Sequence, residues 1–328
     1  MILREFLYVD TDKVRAMLAQ LEGGIAEESR QTERIEKRTT VGPRVAAQHY
    51  QGFGNETYTS KSLGDALFPM LEDALDSESL LRDISEEVAD AEQWSFGKLK
   101  EQVPPGSLVR VTAMGSLFDT RYVAAAFSAF ASVSAGLNSL GISPDPGAPT
   151  PVRGKQGQRQ RAVKPGEAAK AAQLEDMIPD FPAMSGIDGA MLRSFVQISR
   201  GVFSPGLHIN LVPAGGVLIS SRLQEGRQYL DSEADILLAR YGAEPQEWTL
   251  VGSIGSYGTE ETELPELNFI RGETGLDRGA FAEAMNAQMR NLGRVGFIDL
   301  PQHPGFSLIP FAVYRSIPRL GTVALPER

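Results

Sequence analysis

Leu207-His208-Ile209-Asn210-Leu211-Val212, followed after Pro213-Ala214-Gly215-Gly216 by Val217-Leu218-Ile219-Ser220-Ser221-Arg222-Leu223, is the stretch that decides the fold. Apolar and polar residues alternate in both runs, as in half-buried strands, and the Pro/Gly segment between them has hairpin chemistry. Asp231-Ser232 then reads as the cap of a helix holding Ile236, Leu237, Leu238 and Tyr241 and closed by Gly242. A strand from Trp248 to Ile254 completes a β-β-α-β unit. Gly252, Gly255 and Gly258 recur near its end, where a bulge or a close backbone approach is expected. Downstream, the pattern predicts a helix from about Asp277 to Leu292 and strands near Val295–Ile298 and Ser307–Arg315.

Upstream, Glu5-Phe6-Leu7-Tyr8-Val9 reads as a short strand. Asp10 or Thr11 caps a helix whose apolar residues are Val14, Met17, Leu18 and Leu21, and Gly23-Gly24 ends it. Residues 26–40 read as a solvated charged helix and residues 41–60 as a mobile loop. A second helix is expected from Ser62, with Leu63, Leu67, Met70, Leu71 and Leu75 as its apolar face and Pro69 kinking or splitting it. Nine acids against Arg82 between residues 72 and 92, above Leu75, Leu80, Leu81, Ile84 and Val88, predict an acidic helical surface. Leu108–Met114 reads as a strand running on to Phe118. The pattern Asp-Ser/Thr after an apolar strand end occurs at Asp10, Asp119 and Asp231, which helix capping explains.

From Tyr122 to Pro144 no residue is charged. The length would cross a bilayer, but the segment is mostly Ala, Ser and Gly, so a helix buried in the core or in an oligomer is expected instead. Residues 143–173 are low in complexity, and within 152–170 Arg153, Lys155, Arg159, Arg161, Lys164 and Lys170 face only Glu167, which leaves a formal +5 over that stretch. Arg153, Lys155, Arg159, Arg161 and Lys164 are the candidate partner-binding residues. Three parts follow: an N-terminal mostly helical half with short strands (1–142), a basic linker or long loop (143–173), and a C-terminal β-rich half (174–328). The fold class is mixed α+β or α/β.

Chemistry is less legible. A net charge of −10 argues against non-specific coating of nucleic acid, which could engage only the basic linker. Without cysteine there are no disulfides, thiolate metal sites or cysteine nucleophiles, and the charged amino end does not read as a signal peptide, so a cytoplasmic protein is expected. His49, His208 and His303 lack ligand-spaced neighbours, and neither a phosphate loop nor a nucleophile elbow is present. Asp10 and Asp12 could bind a metal with a third acid, although a cap and a first-turn acid account for both. No catalytic set, metal site or cofactor is implied.

Three blocks carry a family resemblance: Phe6-Leu7-Tyr8-Val9-Asp10-Thr11-Asp12 through Leu18-Ala19-Gln20-Leu21-Glu22-Gly23-Gly24, then Val109–Gly115, then Tyr229–Gly242 with Glu247–Gly252. They resemble a bacterial family catalogued as a domain of unknown function. The resemblance spans residues 6–258 and carries no functional residue with it. Such a family leaves room for a defence or stress role, for which no residue here argues. The leading expectation is a non-enzymatic binding or regulatory protein that acts through self-association and a protein partner. A carboxylate and divalent-metal hydrolase or nuclease, and a small-ligand sensor binding between the two halves, are the alternatives.

Overall fold

The computed structural model describes residues 3–21, 56–90, 92, 97–140, 174–179, 181, 187–213, 216–260, 270–271 and 275–317. The basic segment with Arg153, Lys155, Arg159, Arg161 and Lys164, the charged stretch 26–40 and His49 lie outside the described residues.

The helices are α1 (Thr11–Leu21), α2 (Glu56–Ser77), α3 (Ser85–Ala89), α4 (Lys98–Gln102), α5 (Thr120–Ser139), α6 (Gly189–Val202), α7 (Ala234–Tyr241) and α8 (Arg278–Arg294). The strands are β1 (Leu3–Val9), β2 (Leu81–Asp83), β3 (Leu108–Phe118), β4 (His208–Leu211), β5 (Leu218–Arg222), β6 (Gln246–Tyr257), β7 (Ile270–Arg271), β8 (Gly275–Leu276) and β9 (Gly305–Ile317). The protein is a mixed α+β fold with a small barrel. Strands β3, β4, β5, β9 and β6 close the ring, because β6 pairs with both β3 and β9. Strand β1 extends it on β9, and the short β2 lies parallel to β3.

The described chain groups into two compact units. Unit 1 holds residues 1–118, 207–296 and 300–328, and unit 2 holds residues 119–206 with 297–299. Unit 1 therefore takes strands from both ends of the sequence, since β1 and β3 find their hydrogen-bonding partners in β9 and β6.

Alternation along the strands fixes the two faces of the barrel wall. Val109 and Val111 lie opposite Gly252 and Leu250, on the interior side. Arg110 and Thr112 lie opposite Val251 and Thr249, on the outer side. Helices α1 and α2 cover that outer side, where Val14, Leu18, Phe68, Leu71 and Leu75 form one core with Val251, Phe311 and Tyr314. Gly252 sits where β6 meets β9 so closely that a Cβ would come within 2.2 Å of the Ile309 carbonyl oxygen. The register of β6 on β9 shifts there and again between Ile254 and Ser256, so the glycine series serves bulges and contact with the chain's own β9.

Five local expectations need correction. Helix α2 begins at Glu56, so residues 56–60 are helical, and it runs unbroken through Pro69. Burying Phe68, Leu71 and Leu75, at roughly 2 kcal/mol each, outweighs the ~3 kcal/mol cost of an interior proline. The acidic run is not one helical surface: α2 stops at Ser77, β2 inserts its buried Leu81 beside β3, and α3 follows. Asp231 does not cap α7, which starts at Ala234 with Glu233 at the cap position, because Asp231 is engaged by Arg240 at 2.6 Å. Residues 295–298 form turns rather than a strand.

The β-β-α-β elements are present in order as β4, β5, α7 and β6. Only β4 and β5 form the expected hairpin, and β6 leaves them to join β3 and β9.

Candidate protein-binding surface

Unit 2 is built on two helices. Asp119, buried at the end of β3, caps α5 by accepting from the Arg121 backbone N–H at 2.7 Å, and the Arg121 guanidinium closes on the same carboxylate at 2.5 Å. Asp188 caps α6 by accepting from Met191 N at 2.8 Å. Ala124 and Ala131 of α5 meet Leu192 and Val196 of α6 in a core completed by Ile178 and Phe181. Ser128 Oγ donates to the Met177 carbonyl at 2.6 Å, and Arg193 donates to the Ile178 carbonyl at 2.9 Å. An ion pair at 2.7 Å joins Arg200 to Glu175.

This core uses only a narrow part of α5. Ala124, Ala131 and Ser134 are buried, while Ala125, Ala129, Ser132 and Gly136, one row at helical spacing, are exposed. In the neighbouring row Phe130 is partly open and Val133 is 60% exposed. Helix α6 presents Met191, Phe195 and Ile198, the last 63% exposed. Internal burial therefore does not account for the missing charge on α5. After Arg121 that helix meets solvent with uncharged groups alone, mostly methyl and aromatic with the hydroxyls of Ser132 and Ser139 among them, where a surface helix ordinarily carries charge. No helix among the described residues is long and apolar enough to cross a membrane.

The carboxylates singled out in the sequence are held by the protein itself. Asp10 caps α1, accepting from Lys13 N at 3.0 Å and Lys13 Nζ at 2.7 Å. Tyr229 donates to Asp12 at 2.6 Å. Two of the three Asp-hydroxyl segments touch: Tyr8 bridges Leu230, with Val9 N donating to the Tyr229 carbonyl and Asp231 N to the Leu7 carbonyl. The Tyr8 pKa is raised, first by burial and then by the Asp10 charge.

The deepest charge is Glu72, 1% exposed, which meets Arg4 at 2.5 Å, Arg110 at 2.8 Å and the Tyr314 hydroxyl at 3.1 Å. Arg110 also reaches Asp76 at 2.9 Å. Burial alone would lower the Arg110 pKa, but its hydrogen bonds to Asp76 and Glu72 raise it overall. Burial, then the charge of Glu72, pushes Tyr314 up to about 12. The acidic run therefore spends Glu72 and Asp76 inside unit 1, and Arg82 takes Glu87 at 2.9 Å. His208 is buried in β4, and His303 lies 3.9 Å from Glu260. Among the described residues no three His, Asp or Glu side chains are grouped to hold a metal ion.

Sequence reasoning identified α5 and missed α6. Its signal was present in Asp188, three residues before Met191, and in the recurrence of Leu192, Phe195, Val196 and Ile198.

Comparison with curated proteins and with solved structures finds no match. The family described as "Domain of unknown function (DUF6414)" matches residues 3–314, which take in both units from β1 to Tyr314 of β9, and the chain belongs to that family.

Proposed function

We propose that the protein is a non-enzymatic binding or regulatory protein of the cytoplasm that acts by associating with itself and with a protein partner. The observation that carries this reading is the apolar, charge-free face of α5, with Val133 60% exposed beside the small-residue row Ala125, Ala129, Ser132 and Gly136. Small residues let a second helix approach closely, and large apolar neighbours then gain roughly 25 cal/mol per Å² removed from water. Met191, Phe195 and Ile198 of α6 add a flexible, mostly aliphatic surface of the kind that accommodates a partner. Arg153, Lys155, Arg159, Arg161 and Lys164 suit an acidic partner surface, and any nucleic acid would be met through them.

Light scattering on the intact chain tests the reading. The wild type should exceed the monomer mass at micromolar concentration, and the A125E/A129E double variant should remain folded and become smaller. A wild type that is monomeric at that concentration overturns self-association.

A further inference from the structure

Helix α8 turns its small face inward. Its small face, Ala284, Ala287 and Gly293, is covered, whereas Phe281, Met285 and Met289 are exposed. The three large residues are spaced four apart and form one stripe. They span eight residues, which is about 12 Å of helix. Arg278, Arg290 and Arg294 against Glu283 make the helix cationic within a chain of net charge −10.

The same unit carries a cleft with matching dimensions and opposite charge. It lies between α1 and α2, has a volume of about 400 Å³, and is floored by Leu18, Leu21, Met70 and Leu80. Met70 is 54% exposed, although an apolar residue at the junction of two packed helices would ordinarily be covered. Met70, Ala74 and Ser77 form the α2 wall at helical spacing, over about 10 Å. Glu78, just beyond the end of α2, lines the cleft, and the exposed Asp73 lies on α2 between Met70 and Ser77, outside the lining itself.

We infer that α8 of one copy docks in the α1–α2 cleft of a second copy, Phe281, Met285 and Met289 filling the apolar floor while the α8 arginines meet Asp73 and Glu78. The mode is an amphipathic helix laid in a groove. The occupant is a second copy because this one chain supplies both the cationic apolar helix and the acidic apolar cleft. The two surfaces differ, so the contact is head-to-tail and adds subunits beyond two unless a ring closes. It rests on the self-association reading but uses unit 1 rather than α5.

Complementation in the A125E/A129E background, where the α5 face is disabled, tests this contact alone. Met285→Glu spoils the helix and Met70→Glu spoils the cleft, and Met289→Glu serves as a second helix variant. All three positions are exposed, and circular dichroism checks that each variant is folded. The background protein should form assemblies larger than a dimer that grow with concentration, and each added variant should be monomeric. A one-to-one mixture of the Met285→Glu and Met70→Glu proteins should double the mass to a dimer and stop, because one intact helix and one intact cleft remain. A mixture that stays monomeric, or single variants that assemble like their background, overturns the docking. A background protein that is already monomeric overturns it too, whatever α5 does in the otherwise unaltered chain.

Discussion

Helix α2 brings Glu72 and Asp76 to the barrel wall, and two arginines and a tyrosine meet them there, while α5 presents no charged residue after Arg121. The two helices have similar lengths, yet their environments are opposite. On α2 a fully buried carboxylate is matched by Arg4, Arg110 and the Tyr314 hydroxyl, with the Arg4 guanidinium stacked 4.7 Å from the Tyr314 ring. On α5 apolar and small groups are left facing solvent. The contrast marks where charge is matched within the fold and where a helix face is left apolar toward solvent. Unit 1 closes its outer wall internally, because a buried charge left unpaired costs several kcal/mol. Unit 2 keeps a face whose favourable burial needs a second surface.

Breaking the first side of this comparison should have the largest effect. Replacing Glu72 with Ala strands Arg4 and Arg110 beside the core, and we expect a loss of about 3–5 kcal/mol in urea unfolding. A loss under about 1 kcal/mol would show that water satisfies both arginines. Gly252→Ala comes next, at about 1–3 kcal/mol, because its methyl group would collide with the Ile309 carbonyl and push β6 from β9. Unchanged stability would mean that the bulge relaxes freely.

Alkaline pH probes the same wall more gently. Burial raises Tyr257 from 10.0 to about 12, and burial with the Glu72 charge does the same for Tyr314. A tyrosine whose folded pKa exceeds its unfolded value stabilises the fold fully below pH 10, and that stability is lost as the pH rises to 12. The loss should reach about 2 kcal/mol per tyrosine after allowance for partial solvation, and Tyr314→Phe should flatten its share of the slope. The phenolate absorbance of the folded protein should lag that of the unfolded chain over the same range.

The smallest stability change belongs to α5. A125E/A129E alters two exposed positions, so unfolding should shift by no more than about 0.5 kcal/mol each while the scattering mass falls. A large destabilisation would instead place this face in the core and remove the contrast with α2.

Local elements were legible where one physical rule acted alone. The Asp10 and Asp119 caps, the alternation of β3, and the length and charge-free character of α5 follow from short-range hydrogen bonding and side-chain polarity. Legibility failed where distant partners decide. Pro69 signalled a break that the packing of Phe68, Leu71 and Leu75 overrides. Glu72 looked like one more surface acid until Arg4 and Arg110 met it from β1 and β3. Phe281, Met285 and Met289 have the spacing of a core stripe, yet α8 turns its alanines inward.

The mixed α+β class, the family resemblance and the absence of charge on α5 can be read along the chain, because composition and periodicity are properties of adjacent residues. Folding settles that β6 leaves the β4–β5 hairpin to close a barrel with β3 and β9. It alone decided which acids of residues 72–92 are buried and which face of each amphipathic helix meets solvent. Those outcomes depend on register and on partners hundreds of residues away. Hydrogen-bond pairing and the cost of an unmatched charge select them only once the chain is folded.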